Sequence, residues 1–350
     1  MKSIKKKNSV THNFLGLVNA TIVTMTDENH TIRNGGIAVK NGKIVKVDEN
    51  EKIRSICDKV VDVEGRLILP SFLNAHHHIY QGQISSPQPN TDLLNWLKNT
   101  LFVEERALSG NRVYQNAVKE CKRFLSSGVG YLVLQESNLM FEHVVKACYE
   151  CGIKALIGRY CGDNNKVLPH SLLETPANAK AIIKKYKCRY KESNKLKFSL
   201  APRFLPALTS ESLMSLKSIV SGEIIQFHTN ESPSEVNLTK SIHGASPIEL
   251  LDKLELIHKK TILSHVIYLT NREKKIIYRK KPIITVSPTS NKRLAGGIAP
   301  VEEYISKGLF VTIGLDGFAT AKTKSYIEEL YKFPEIVNTP ADIIIPKILI

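Results

Sequence analysis

The chain has 350 residues, 42% of them apolar, and a formal charge of +16 from 49 Lys and Arg against 33 Asp and Glu. That length and apolar share exclude a disordered chain and allow one large domain or two modest ones around a substantial core. The cations are scattered over helix-like faces such as IIKKYKCRYK and NREKKIIYRKK without interleaved aromatics, so they read as a solubilising surface, and nucleic acid is not an expected partner.

The chain opens on MKSIKKKNSVTHNF, which is basic but lacks the apolar core and cleavage site of a secretory signal. No later apolar run reaches bilayer length, so no membrane partner is expected. LVNATIVTM, GGIAVKNGKIVKV and KVVDVEG then alternate apolar and polar residues around Gly and Asn-Gly turns. This pattern predicts a small antiparallel β unit, a sandwich-like domain over residues 1–66. Short apolar runs follow at 67–75, 130–135, 153–158, 197–202, 223–228, 261–265, 282–286 and 309–315. Amphipathic helical stretches lie between them at 110–127, 138–151, 176–190, 210–221, 246–257, 271–280 and 300–307. Strands alternating with helices in this way predict a (β/α)8 TIM barrel over 67–350. Cys148 and Cys151 form a CxxC inside one of those helices and read as ordinary helix cysteines. Six dispersed cysteines in a chain this long favour a reducing, cytoplasmic setting over a disulfide scaffold.

Chemistry in such a barrel sits at the C-terminal ends of the strands. The first strand runs into His76, His77 and His78. Alternate residues of a strand share a face, so His76 and His78 point together and His77 points away. Later strand ends carry His228 followed by Glu231, then His265, then Asp316. Taken singly, each His could be a satisfied core residue and Asp316 a helix cap. Taken together at one rim, these groups have few partners except each other. Three neutral imidazoles and one carboxylate suit a divalent transition metal such as zinc.

These residues carry a resemblance. HxH on the first strand (His76, His78), HTNE on the fifth (His228, Glu231), SH on the sixth (His265) and LDG on the eighth (Asp316) resemble the amidohydrolase superfamily, in its aminohydrolase branch. SPTSNKRLAGGIAP at 287–300 is similar to that family's segment before the last strand. Within the branch the sequence most resembles the guanine deaminases, whose HxHxxQ matches HHHIYQ and so brings in Gln81. Their Pro-Arg-Phe matches APRFLP, bringing in Arg203 and Phe204. DLLNWLKNTLFVEERAL resembles the loop after the first strand, with Glu105 as a further substrate contact.

The resemblance implies one divalent ion per chain, zinc or else iron, held by His76, His78, His228 and Asp316. The fourth strand ends in APRF with no lysine to bridge a second ion. It also implies roles: Asp316 takes a proton from water, His265 orients the attacking oxygen, and Glu231 protonates a ring nitrogen. Gln81 and Arg203 would anchor the ring's polar edge and Phe204 its face. The implied reaction is guanine plus water to xanthine plus ammonia, in a chain that could be a homodimer. Alternatives stay open. Triple histidines also occur in relatives acting on triazines or oxidised purines, and pterins are a further ring to consider. Arg203 could instead sit in a structural ion pair, and Glu105 on a solvated helix face. SSGVGYLVLQESN lacks the threonine-rich run common in relatives. The chain stops at TPADIIIPKILI, where relatives continue, so a shortened, non-catalytic relative is the competing expectation.

Overall fold

The computed structural model describes residues 14–26, 31–294, 296–321 and 325–338. The basic start before Phe14 and the terminal TPADIIIPKILI lie outside the described residues. Two compact units divide at Ser71 and Phe72.

The first unit is one sheet built from β1 (Leu15–Val23), β2 (Thr31–Lys40), β3 (Lys43–Glu49), β4 (Lys59–Asp62) and β5 (Leu67–Ile68), in the order β3-β2-β1-β4 with β5 also on β1. β2 and β3 form the expected hairpin, because Asn41 and Gly42 both adopt positive φ (51° and 72°), as a tight two-residue turn requires. The sheet is mixed rather than antiparallel throughout: β4 and β5 run parallel to β1. A short helix, Asn50–Arg54, follows β3 and carries the chain back across the sheet, which is what parallel pairing needs.

The second unit holds eight parallel strands paired in chain order: β6 (Phe72–His77), β7 (Val129–Glu136), β8 (Lys154–Cys161), β9 (Leu196–Pro202), β10 (Ile225–Thr229), β11 (Thr261–His265), β12 (Ile283–Val286) and β13 (Phe310–Ile313). The expected strand at 67–75 is divided. Leu67–Ile68 joins the first sheet, and after Pro70, which has no N–H to give a ladder, the barrel strand begins with Phe72 N–H donating to the Gly128 carbonyl at 2.9 Å. The barrel closes at the C-terminal ends of its first and last strands. His78 N–H donates to the Asp316 carbonyl (3.3 Å) and Asp316 N–H to the His76 carbonyl (2.9 Å). Gly314 permits this approach, since a Cβ there would lie 2.5 Å from His76 Cβ and 2.7 Å from its carbonyl oxygen.

Alternation along the strands stacks the barrel interior in layers. Val133, Leu156 and Ile262, packed with Tyr131, Ile224 and Ile283, form an apolar floor. Two residues further along their strands the lining turns polar but uncharged: Gln135, Ser264 and Thr285 are fully buried. Gln226 donates to Ser199 Oγ at 2.8 Å, and Thr285 pairs with Thr312 at 2.9 Å. The histidines sit above that layer.

Outside, the helices Gly110–Ser126, Phe141–Cys151, Pro176–Arg189, Ser210–Val220, Pro247–Lys253, Asn271–Lys280 and Val301–Ser306 fall close to the expected stretches. Pro233–His243 was not expected from apolar periodicity, although its ends are well marked: Ser232 caps it, Pro233 opens it and Gly244 closes it at φ 73°. All six cysteines are free. Among the described residues, no helix is long and apolar enough to cross a membrane.

Candidate metal centre and active-site pocket

The extended backbone of β6 sends His76 and His78 to the barrel axis and His77 outward. His76 Nε2 lies 3.5 Å and His78 Nε2 3.0 Å from Asp316 Oδ1. His228 Nε2 lies 3.2 Å from His78 Nε2. The second nitrogens explain why that contact is notable. His78 Nδ1 is 2.6 Å from the Gln135 carbonyl and His228 Nδ1 is 2.8 Å from the Arg203 carbonyl. A carbonyl only accepts, so both Nδ1 atoms carry the hydrogen and two bare Nε2 lone pairs face each other. His76 Nε2 is buried without a hydrogen-bond partner, its Nδ1 lying 3.1 Å from Ser264 Oγ.

Charge runs the same way. Burial, helped by the neighbouring imidazoles, holds the His228 pKa well below the usual histidine value, and burial brings His76 down to about 3. Burial opposes charge on Asp316, yet the His76 and His78 rings beside it prevail and keep its pKa well below the carboxylate range. Convergent imidazoles around an ionised carboxylate, with His76 and His228 held uncharged, are a donor set that a divalent cation fits. His76, His228 and His265 make a second overlapping group of suitable spacing.

Around this centre the backbone is strained. His265, Val266 and Asp316 have φ of 74°, 48° and 62°, and Asn230, just before Glu231, has 52°. Left-handed non-glycine residues, one of them β-branched, are costly and tend to collect at functional rims. His265 Nδ1 meets Asn291 Oδ1 at 2.8 Å, and its Nε2 faces Glu231 Oε2 at 3.6 Å. Burial, with Asp316 adding to it, pushes the Glu231 carboxyl up to about 7.

His77, turned away from the barrel axis, is fully buried. Its Nε2 pairs with Glu120 Oε2 at 3.0 Å and its ring packs between Phe124 and Phe318. Glu136, at the end of β7, accepts the N–H groups of Ile79 (2.7 Å) and Tyr80 (3.3 Å). That pins the turn leading from His78 to Gln81.

The pocket above the histidines is lined by Gln81, Arg203, Phe204, Glu231, His265 and Asp316. Gln81 packs against Gly317, where a Cβ would sit 2.2 Å from Gln81 Oε1. Arg203 is clasped by Glu105 in a bidentate pair (Nη1–Oε1 3.1 Å, Nη2–Oε2 2.6 Å), and Nη2 also donates to Tyr80 OH at 3.2 Å. Its guanidinium lies 4.7 Å from the Phe102 ring centre and 4.8 Å from that of Tyr160. The ion pair weighed as an alternative for Arg203 is therefore present. Glu105 is fully buried instead of lying on a solvated face, and it bears on the pocket through Arg203. Sequence reading overlooked the apolar wall of Leu93, Trp96, Leu97, Leu101 and Leu294, together with Tyr160 and Glu235. DLLNWLKNTLF offered a signal, a Trp among leucines before Glu105.

The model of the amidohydrolase family matches residues 67–339. The chain belongs to that family. As an amidohydrolase it is 28% identical over 335 residues to the 5-methylthioadenosine/S-adenosylhomocysteine deaminase of Caldicellulosiruptor saccharolyticus, covering 91% of this chain and 75% of that one. Two solved structures show the same fold. Guanine deaminase from C. acetobutylicum with guanine bound superposes with a TM-score of 0.83 at 24% identity, over 93% of this chain and 79% of the other. Atrazine chlorohydrolase from Arthrobacter aurescens TC1 complexed with zinc superposes at 0.82 and 19% identity, over 95% and 78%. Members of the amidohydrolase family typically bind a divalent metal, as that zinc complex illustrates, and its deaminases are hydrolases of C–N bonds in small heterocycles.

Proposed function

We propose that this amidohydrolase is a zinc-dependent hydrolytic deaminase of a purine-type ring, acting on guanine to give xanthine and ammonia. The observation that carries the guanine reading is the pairing capacity left open in the pocket. Gln81 Oε1 is a buried acceptor without a partner. Arg203 has five N–H hydrogens. Three are taken by Glu105 and Tyr80, which leaves two. An open acceptor beside open donors complements the N1–H and C6 carbonyl edge of guanine. Adenine offers the reverse, a bare N1 and an amine. Phe204 lines the same pocket and suits a ring face.

His76, His78, His228 and Asp316 are the residues proposed to hold the metal. When bound, a divalent cation supplies Lewis acidity that makes a water proton easier to lose. The chain's residues handle protons and position. Asp316, ionised despite burial, accepts the proton from water. His265 presents Nε2 towards Glu231 and orients the water. Glu231, whose carboxyl burial pushes up to about 7, holds a proton near neutral pH. It delivers that proton to the ring nitrogen beside the amino-bearing carbon, so this carbon becomes electrophilic. Ammonia leaves with a second proton, and the carbonyl of the product replaces the amine.

A second reading is a nucleoside with an apolar 5′ substituent. The leucine and tryptophan wall of the pocket favours it, as does the similarity to a methylthioadenosine deaminase. Ammonia release from guanine, 8-oxoguanine, pterin, a triazine, adenosine and 5-methylthioadenosine, measured on the zinc-loaded protein, separates the two. Guanine should exceed the adenosines in kcat/KM by about 100-fold or more, because a mismatched edge leaves buried groups unpaired. Faster turnover of the adenosines would remove the guanine assignment and leave the broader deaminase one.

A further inference from the structure

We propose that the short helix Pro288–Leu294 is a positioning device for two residues of the site, with Asn291 setting the tautomer of His265 and Ser290 setting the carboxylate of Asp316. The proposal rests on the deaminase reading for its kinetic consequences, but not for its geometry.

Three consecutive side chains of this helix each reach a different partner. Thr289 bonds Glu329 through its N–H (3.0 Å) and hydroxyl (2.7 Å), tying the helix to Tyr326–Ile336. Ser290 Oγ donates to Asp316 Oδ2 at 2.5 Å. Asn291 Oδ1 meets His265 Nδ1 at 2.8 Å. All four of Thr289, Ser290, Asn291 and Glu329 are buried, so none of these bonds competes with solvent.

The effect on Asp316 follows from where its oxygens are committed. Thr320 Oγ1 also donates to Oδ2, at 2.9 Å. Two hydroxyls therefore hold Oδ2, and Oδ1 is left facing His76 and His78. The effect on His265 is one of hydrogen placement. An amide oxygen accepts, so the imidazole bonded to it carries its hydrogen on Nδ1 and turns a lone pair on Nε2 towards Glu231. His265 has positive φ, and so does the residue after it, so strand geometry alone does not fix the ring. Asn291 supplies that restraint from 26 residues away.

The test uses the zinc-loaded full chain with 15N-labelled histidine, and four variants. Asn291→Asp keeps only an acceptor, Asn291→Leu keeps the shape without one, Ser290→Ala removes one hydroxyl and Ser290→Thr restores it. The wild type and Asn291→Asp should show a His265 imidazole N–H on Nδ1 in the NMR spectrum. Asn291→Leu should lose that signal while keeping its zinc. In ammonia release, Asn291→Leu should lose about 100-fold in kcat with KM within about threefold, and Asn291→Asp should recover most of it. Ser290→Ala should weaken zinc affinity in chelator competition by about 10-fold, and Ser290→Thr should recover it. An Nδ1 hydrogen persisting in Asn291→Leu, or Asn291→Asp as damaged as Asn291→Leu, overturns the tautomer assignment. Unchanged zinc affinity in Ser290→Ala overturns the part given to Ser290. If the wild type releases no ammonia from any ring offered, the deaminase reading fails, and the NMR and zinc measurements still decide the positioning.

Discussion

Two histidines, His228 and His77, illustrate how the face a ring occupies changes its role. His228→Ala removes one of the two facing lone pairs and should strip most of the zinc, measured as metal per chain. His77→Ala should leave the metal in place and lower stability instead. It deprives the buried Glu120 carboxylate of its ring partner, and breaking a buried pair costs about 3 kcal/mol. Equal zinc loss in both would sink the strand-face assignment. Glu231→Gln should abolish turnover while keeping the metal. Because burial raises the Glu231 carboxyl to about 7, its protonated form fades as pH rises through that value, and kcat should fall on the same limb. A flat profile between pH 6 and 9, a range set by the direction of this shift, would argue against Glu231 as the acid. Arg203 is more entangled. Glu105→Ala should cost stability by about 3 kcal/mol by stranding the guanidinium, and should raise KM for guanine nearly as much as Arg203→Ala does, since Glu105 holds the arginine in place.

Elements position these side chains through contacts that single residues do not reveal. The eighth strand ends in a glycine-flanked aspartate, GLDG, and both glycines have steric reasons. Gly317→Ala would drive a Cβ into Gln81, so kcat/KM for guanine should fall by about 10-fold or more while zinc stays bound, consistent with loss of one oriented hydrogen-bonding group. Gly314→Ala meets the His76 backbone and should instead loosen the closure between β6 and β13, with lower zinc occupancy and an earlier melt. Secondary-structure patterns in the sequence recovered the eight barrel strands and most of the outer helices, because alternation and 3.6-residue periodicity are local signals. They missed Pro233–His243 and the segment 93–107. Both lie against the pocket, where packing on the barrel rim rather than an apolar stripe decides the conformation.

At the scale of the molecule, the rim that carries the candidate metal ligands is also the barrel's closure. The candidate ligands come from β6, β10 and the turn after β13, so a bound cation ties the first strand to the last. Chelation should lower the melting temperature, and re-addition of zinc should restore it, by an amount that grows with the logarithm of free zinc. Hydrogen exchange should localise the loss to the β6–β13 seam. A melt indifferent to zinc would separate metal binding from closure. The sequence by itself determined the barrel and named the candidate donors. Ligand chemistry is a property of residue type, and the two-residue period of a strand already sends His76 and His78 one way and His77 the other. Only the tertiary structure decided the partners. Glu105 with Arg203, Glu120 with His77, Asn291 with His265 and Ser290 with Asp316 lie 98, 43, 26 and 26 residues apart in the chain. Such pairings are set by how strands and helices dock, for which local periodicity carries no signal. The mixed order of the N-terminal sheet belongs with them, because strand alternation predicts that a segment is extended but not which neighbour it will join.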